Sequence, residues 1–131
     1  VIGLDLALRL RAAGVSWTPA PGDVFMVPDR DMDREVFLIS EMVVEVQDVP
    51  TGRILRFNGT TEWALDSIEQ REVVWLPRED QLRDLLGESF VRLEAVPGGF
   101  VAVVEHQQRE QRHIDVSADR AYARALLGVG G

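Results

Sequence analysis

Apolar residues recur with two different periods along this chain. Leu4, Leu6, Leu8 and Leu10 alternate as in a strand, yet residues 3–13 contain no β-branched residue and are rich in helix-favouring Leu, Ala and Arg. Gly14 then stands where a helix C-cap belongs, so a helix is predicted. The stretch from Trp17 to Asp23 holds Pro19, Pro21 and Gly22 and can be neither helix nor central strand. Val24 to Val27 reads as a short strand that Pro28 ends, and Asp29 to Glu35 as a charged loop. Val36 to Ser40 and Met42 to Asp48 are strand-like. In the second, Met42, Val44 and Val46 face one way and Val43, Glu45 and Gln47 the other. The turn Val49-Pro50-Thr51-Gly52 returns the chain through Arg53 to Phe57 as a hairpin.

The period then lengthens. Thr60 or Thr61 is placed to cap a helix running to about Glu69, with Trp63, Ala64, Leu65 and Ile68 on its apolar side. Val73 to Leu76 is a buried strand candidate. Pro77 suits the first turn of a helix through Leu86 that Gly87 stops, with Leu82, Leu85 and Leu86 as its stripe. Phe90 to Val96 and Phe100 to Glu105 flank Val96-Pro97-Gly98-Gly99, a strong hairpin signal. A third strand from about Gln111 to Val116 follows, and Ser117 caps a last helix, Ala118 to Leu127. The strands come in antiparallel hairpins with helices between them. The prediction is α+β: a single domain over residues 1–131, with an antiparallel sheet of about six strands and about four helices. No internal repeat or linker marks a boundary.

Composition narrows the chemistry. The chain has 131 residues, 14 basic against 22 acidic, for a net charge of −8. Such a balance lacks the basic footprint of a nucleic-acid binder. There is no cysteine, which removes disulfides, thiol catalysis and iron–sulfur ligation. All 14 basic residues are arginine, so neither a Schiff-base lysine nor a P-loop lysine exists. No segment approaches the ~20 apolar residues of a membrane helix, and an acid stands early where a signal peptide carries base. The expectation is a cytoplasmic protein that engages neither membrane nor nucleic acid.

The candidate sites are few. Asp29, Asp31 and Asp33 have the D-x-D-x-D spacing of a calcium loop, but Arg34 occupies the glycine position and Ser40 the position of the bidentate glutamate. They are weak metal candidates, and a solvated, self-paired loop accounts for them better. His106 and His113 fall on adjacent predicted strands without a third ligand. No serine lies in G-x-S-x-G. Trp17, Trp63 and Trp75 sit near turns and helix starts, close in sequence to Asp23 and Glu62. They are major core mass, and a ligand cleft, if one exists, is expected where they approach one another. No cofactor is implied.

Four segments together resemble a known family: Ser16-Trp17-Thr18-Pro19 with Gly22-Asp23-Val24-Phe25; Val27-Pro28-Asp29-Arg30-Asp31-Met32-Asp33; Phe57 to Asp66; and Trp75-Leu76-Pro77-Arg78-Glu79-Asp80-Gln81-Leu82. The family comprises small actinobacterial and other Gram-positive proteins of unknown function, some of which carry the label "pilus assembly protein CpaE". The resemblance covers most of the chain and brings no catalytic residue with it. An ATPase of that label would need a P-loop and a second domain, for which this lysine-free chain has neither residue nor length. Two functions follow as expectations. One is a non-enzymatic binding or regulatory module whose acidic surface meets a basic protein, with self-association as a further expectation. The alternative is a small-molecule-binding protein or modest enzyme using the tryptophan-lined cleft.

Overall fold

The computed structural model describes residues 1–28, 36–39, 43–50, 52–58, 67–69 and 73–130, with side chains described for 1–28, 36–39, 50, 52–53 and 73–130. The chain divides into two compact units: Val1–Ser16 with Pro77–Gly131, and Trp17–Leu76. The sequence showed no linker at either junction, and both crossings are made by directly continuous chain.

In the first unit, α1 (Leu4–Ala12) buries Leu6, Ala7 and Leu10 and ends before Gly14, as its composition predicts. The second helix, α2 (Glu79–Leu86), buries Leu82 and Leu86. Its start is closed by the Arg78 backbone N–H, which donates to Gln81 Oε1 at 2.9 Å, and by Glu79 and Asp80 at the positive end of the helix dipole. A short 3-10 turn, Gly87–Ser89, leads into the meander β7 (Phe90–Val96), β8 (Gly99–His106) and β9 (Arg109–Asp115). The last helix, α3 (Ala118–Gly128), packs on α1, α2, β8 and β9. Ser117 stands at its N-cap, as the sequence predicts, but its side chain does not bond the helix backbone. Its hydroxyl instead donates to Asp119 Oδ1 at 2.6 Å, and that oxygen accepts the Arg120 N–H at 2.8 Å.

The second unit holds two further sheets. In one, β1 (Val24–Met26) lies between β2 (Val36–Leu38) and β6 (Val74–Leu76); in the other, β4 (Gly52–Asn58) lies between β3 (Val43–Val49) and β5 (Ser67–Glu69). All pairings are antiparallel, and the β3–β4 hairpin closes with Val49 opposite Gly52, as the Pro50-Thr51 turn predicts.

The α+β class stands, but its detail is corrected. Instead of one sheet of about six strands with about four helices, the described residues form three three-stranded sheets and three α-helices. Part of the error lies at 60–69. Residues 67–69 are strand, with Ile54, Leu55 and Arg56 opposite Glu69, Ile68 and Ser67. A free ladder edge on β4 outweighed the helical spacing of Leu65 and Ile68. The remainder of that predicted helix lies outside the described residues.

No helix among the described residues is long and apolar enough to cross a membrane.

Candidate functional site

Three of the five predicted cleft residues are described, and they meet. Asp23 closes a turn in which its N–H donates to the Ala20 carbonyl at 3.1 Å, with Pro21 and Gly22 at the centre and Gly22 at φ +92°. A positive φ at that position is the mark of a type II turn and the reason glycine stands there. The turn aims the Asp23 carboxylate back over the loop. Asp23 Oδ2 accepts the Trp17 indole N–H at 2.8 Å and the Ala20 N–H at 3.0 Å, and the residue is only 3% exposed. Trp17 is thereby fixed against Trp75, ring centroids 6.2 Å apart and planes 8° from parallel, and against Phe25 at 6.1 Å. Phe25 stacks in turn on Phe37 at 5.4 Å across the β1–β2 pair. With Val27, Ile39 and Val73 these rings form one apolar cluster.

Here the tryptophan and the carboxylate serve as packing and brace, the plainer of the two roles the sequence offered. One polar atom is left over: Trp75 Nε1 is buried without a hydrogen-bond partner among the described residues. Glu62 and Trp63, the other two cleft candidates, lie outside the described residues, as do Asp29, Asp31 and Asp33. Among the described residues no group of three or more His, Cys, Asp or Glu side chains converges to hold a metal ion.

The histidines do not face each other. His106 pairs with Arg109 at the hairpin end, whereas His113 lies opposite Ala102. The His113 ring lies against Gly128 of α3, where a Cβ would stand 2.5 Å from Cε1, so any side chain at 128 would have to displace the ring. Its Nε2–H donates to Gln111 Oε1 at 2.9 Å. Burial, reinforced by the Arg124 charge, holds the imidazole below its ordinary value of 6.5.

Charges in the first unit are stitched together on both faces of its sheet. On the α3 face, the Asp115 side chain is 8% exposed and accepts from Arg124 Nε at 2.6 Å, Arg120 Nε at 3.2 Å and the Val116 N–H at 2.6 Å. Desolvation opposes its ionisation, yet these donors prevail and hold the carboxyl below its usual 3.8. Arg120 also donates to both Asp5 oxygens at 3.2 Å and to the Ile2 carbonyl, tying α1 to α3. On the opposite face, Glu94 bridges Arg92 at 2.6 Å and Arg112 at 2.9 Å, and Arg92 reaches Glu110 at 3.3 Å. Arg92 and Arg112 flank Val103 in one cross-strand row, and Val103 is fully buried. Long arginine stems cover apolar surface in this way while their heads stay wet.

A further feature was missed by the sequence reading. An open depression of about 680 Å³ is lined by Glu79, Asp80, Arg83, Asp84 and Tyr122. Four of these are neighbouring turns of α2, and Tyr122 comes from α3. The sequence reading placed 79–84 in a predicted helix and residue 122 in the last one, without drawing a site from either. The signal was the i, i+4 spacing of Asp80 and Asp84, two like charges on one helix face. Compared with known proteins, the chain matches no family model, no curated protein and no solved structure.

Proposed function

We infer that the protein is a non-enzymatic binding or regulatory module that docks a basic partner through its acidic surface. The observation that supports this is how the first unit spends its charges. Arg78, Arg92, Arg112, Arg120 and Arg124 are engaged with carboxylates, and the Arg83 guanidinium lies 4.7 Å from the centroid of the Phe90 ring. Glu79, Asp84, Glu88 and Glu105 are exposed and have no ion-pair partner among the described residues. Arg9 and Arg109 are exposed and without an ion-pair partner among the described residues as well, and the first unit as a whole is nearly balanced, 10 acids against 9 arginines, while residues 17–76 carry 12 against 5. What the first unit offers is a local concentration of unpaired acid at Glu79, Asp84 and Glu88, which steers a cationic partner and disfavours an anionic one. Titrating the protein into a fluorescent arginine-rich peptide tests the reading. Binding at low salt that weakens steadily as salt rises is expected. A flat titration, no different from that of an acidic control peptide, rejects it.

A second reading, a small-molecule site beside the tryptophans, draws on the buried and unsatisfied Trp75 Nε1. A metabolite that raises the unfolding midpoint and quenches tryptophan fluorescence would favour it.

A further inference from the structure

The depression between α2 and α3 combines features that ordinary helix design avoids. Asp84 lies in the last turn of α2, at the negative end of the helix dipole. It also stands four residues after Asp80, a like charge on the same face, and both arrangements are unfavourable in a helix. Asp80 is relieved by Arg78, whose Nε donates at 3.0 Å and Nη2 at 3.3 Å. Asp84 has no hydrogen bond or ion pair among the described residues. A side chain that breaks local rules without an internal return marks a place where function sets the residue.

Tyr122 is the second, independent sign. It is only 3% exposed, its ring set against Phe90 at 5.6 Å, yet it lines the depression. Its hydroxyl has no hydrogen-bond partner among the described residues, and it is not one of the polar atoms sealed from solvent. The phenol oxygen of this otherwise buried residue must therefore open into the depression. Burial, then the nearby Glu79 charge, push its ionisation upward, so the proton stays on the oxygen at neutral pH. The hydroxyl can then accept from a donor in the depression while giving its own proton to a carboxylate.

The geometry points to a binding site for an arginine side chain of a basic partner segment, with Asp80 and Asp84 as the paired acceptors and the Tyr122 hydroxyl at its base. A guanidinium fits better than a compact ammonium, because its planar fork can meet separated acceptors at once. A metal ion is disfavoured by the donor set, since no three carboxylates converge here. Arg83 lines the same depression but is drawn over Phe90, and Arg78 is engaged with Asp80, which leaves Glu79 and Asp84 as the acids without an ion-pair partner around the incoming cation. The bound cation would give Asp84 the partner it lacks and share Asp80 with Arg78. This rests on the basic-partner reading and gives it a place.

The test compares four forms of the full chain against the same arginine-rich peptide at low salt: wild type, Asp84→Asn, Tyr122→Phe and Glu105→Gln. Glu105 is an exposed acid on β8 outside the depression, so its variant makes the same charge change elsewhere. Asp84→Asn should weaken binding about tenfold and Tyr122→Phe about threefold, while Glu105→Gln stays near wild type. Asp84→Asn should also unfold no earlier than wild type without peptide, because it removes a repulsion; this separates lost binding from lost fold. If Asp84→Asn and Glu105→Gln weaken binding equally, the site is wrong and only the general acidic surface stands. If wild type fails to bind the peptide, both the site and the basic-partner reading fall.

Discussion

The first unit distributes charge over its sheet and stitches it to the helices. Four arginines and four carboxylates connect β7, β9, α1 and α3, and Arg78 pairs with Asp80 within the start of α2. The β1 sheet of the second unit concentrates its order in four aromatic rings and one carboxylate, Asp23. Both are small three-stranded sheets, and each needs a covered apolar face to be stable. One is supported by helices that supply apolar cover, with ion pairs fixing the rim. Among the described residues, the other is held by rings packed on one another. The lesson concerns sensitivity. Exposed ion pairs are individually weak and respond to pH and salt, whereas a packed ring leaves a void that its neighbours cannot fill.

The largest effect should therefore follow a single truncation in the second unit. Trp17→Ala removes the ring that joins Trp75 to Phe25 and is expected to cost about 3–5 kcal/mol. Asp23→Ala should cost about 2–3 kcal/mol, because it strands the buried Trp17 N–H and the Ala20 N–H together. Denaturant unfolding measures both, and amide exchange locates them. Faster exchange in β1 and β6 with β7–β9 unchanged would sharpen the contrast. Equal acceleration across β7–β9 would break it, by showing one cooperative unit.

Acid should act on the other region. His113 is held neutral in the fold, so its contribution is fully present above 6.5 and declines as pH falls toward its lower folded value. Asp115, Asp5 and Glu94 are held below their ordinary values by their arginines; their contribution is present above about pH 4 and is lost as pH falls through the folded values. Stability of β9 and α3 should fall in two stages. His113→Gln should flatten the first stage. Arg120→Ala should cost about 1–3 kcal/mol at neutral pH and make the second stage shallower, since part of what acid removes is already gone. Unfolding midpoints from pH 8 to about pH 2 give both slopes, and an Arg120→Ala profile merely parallel to wild type would show that its pairs carry no linked protons.

What the sequence conveyed follows the same division. The hairpin at Pro97-Gly98, the helix stopped by Gly87 and the final helix were legible because local chemistry and period agreed there. The strand at Ser67–Glu69 was not, because its partner, β4, supplies a ladder that no local window contains. The Trp17–Asp23 brace was half legible: both residues were singled out, but their bond depends on how a type II turn aims one carboxylate. The α2–α3 depression was invisible because Tyr122 lies 38 positions after Asp84. Only packing of the two helices makes them neighbours.

The smallest predicted effect concerns the β8–β9 turn, where the first unit holds strain instead of charge. Gln107 and Gln108 occupy φ +53° and +65°, the left-handed geometry of a two-residue hairpin turn that asparagine and glycine adopt readily. Neither glutamine gains a described hydrogen bond in return. Gln108→Gly should therefore stabilise the protein by about 0.5–1 kcal/mol, because relief of steric strain outweighs the added freedom of the unfolded chain. The gain should be the same at neutral and acid pH, since no titrating group is involved. A gain confined to neutral pH would mean that the turn communicates with the ion pairs of β7 and β9. The strain would then belong to the charge network, and the contrast drawn between packing and electrostatics would need to be redrawn within the first unit itself.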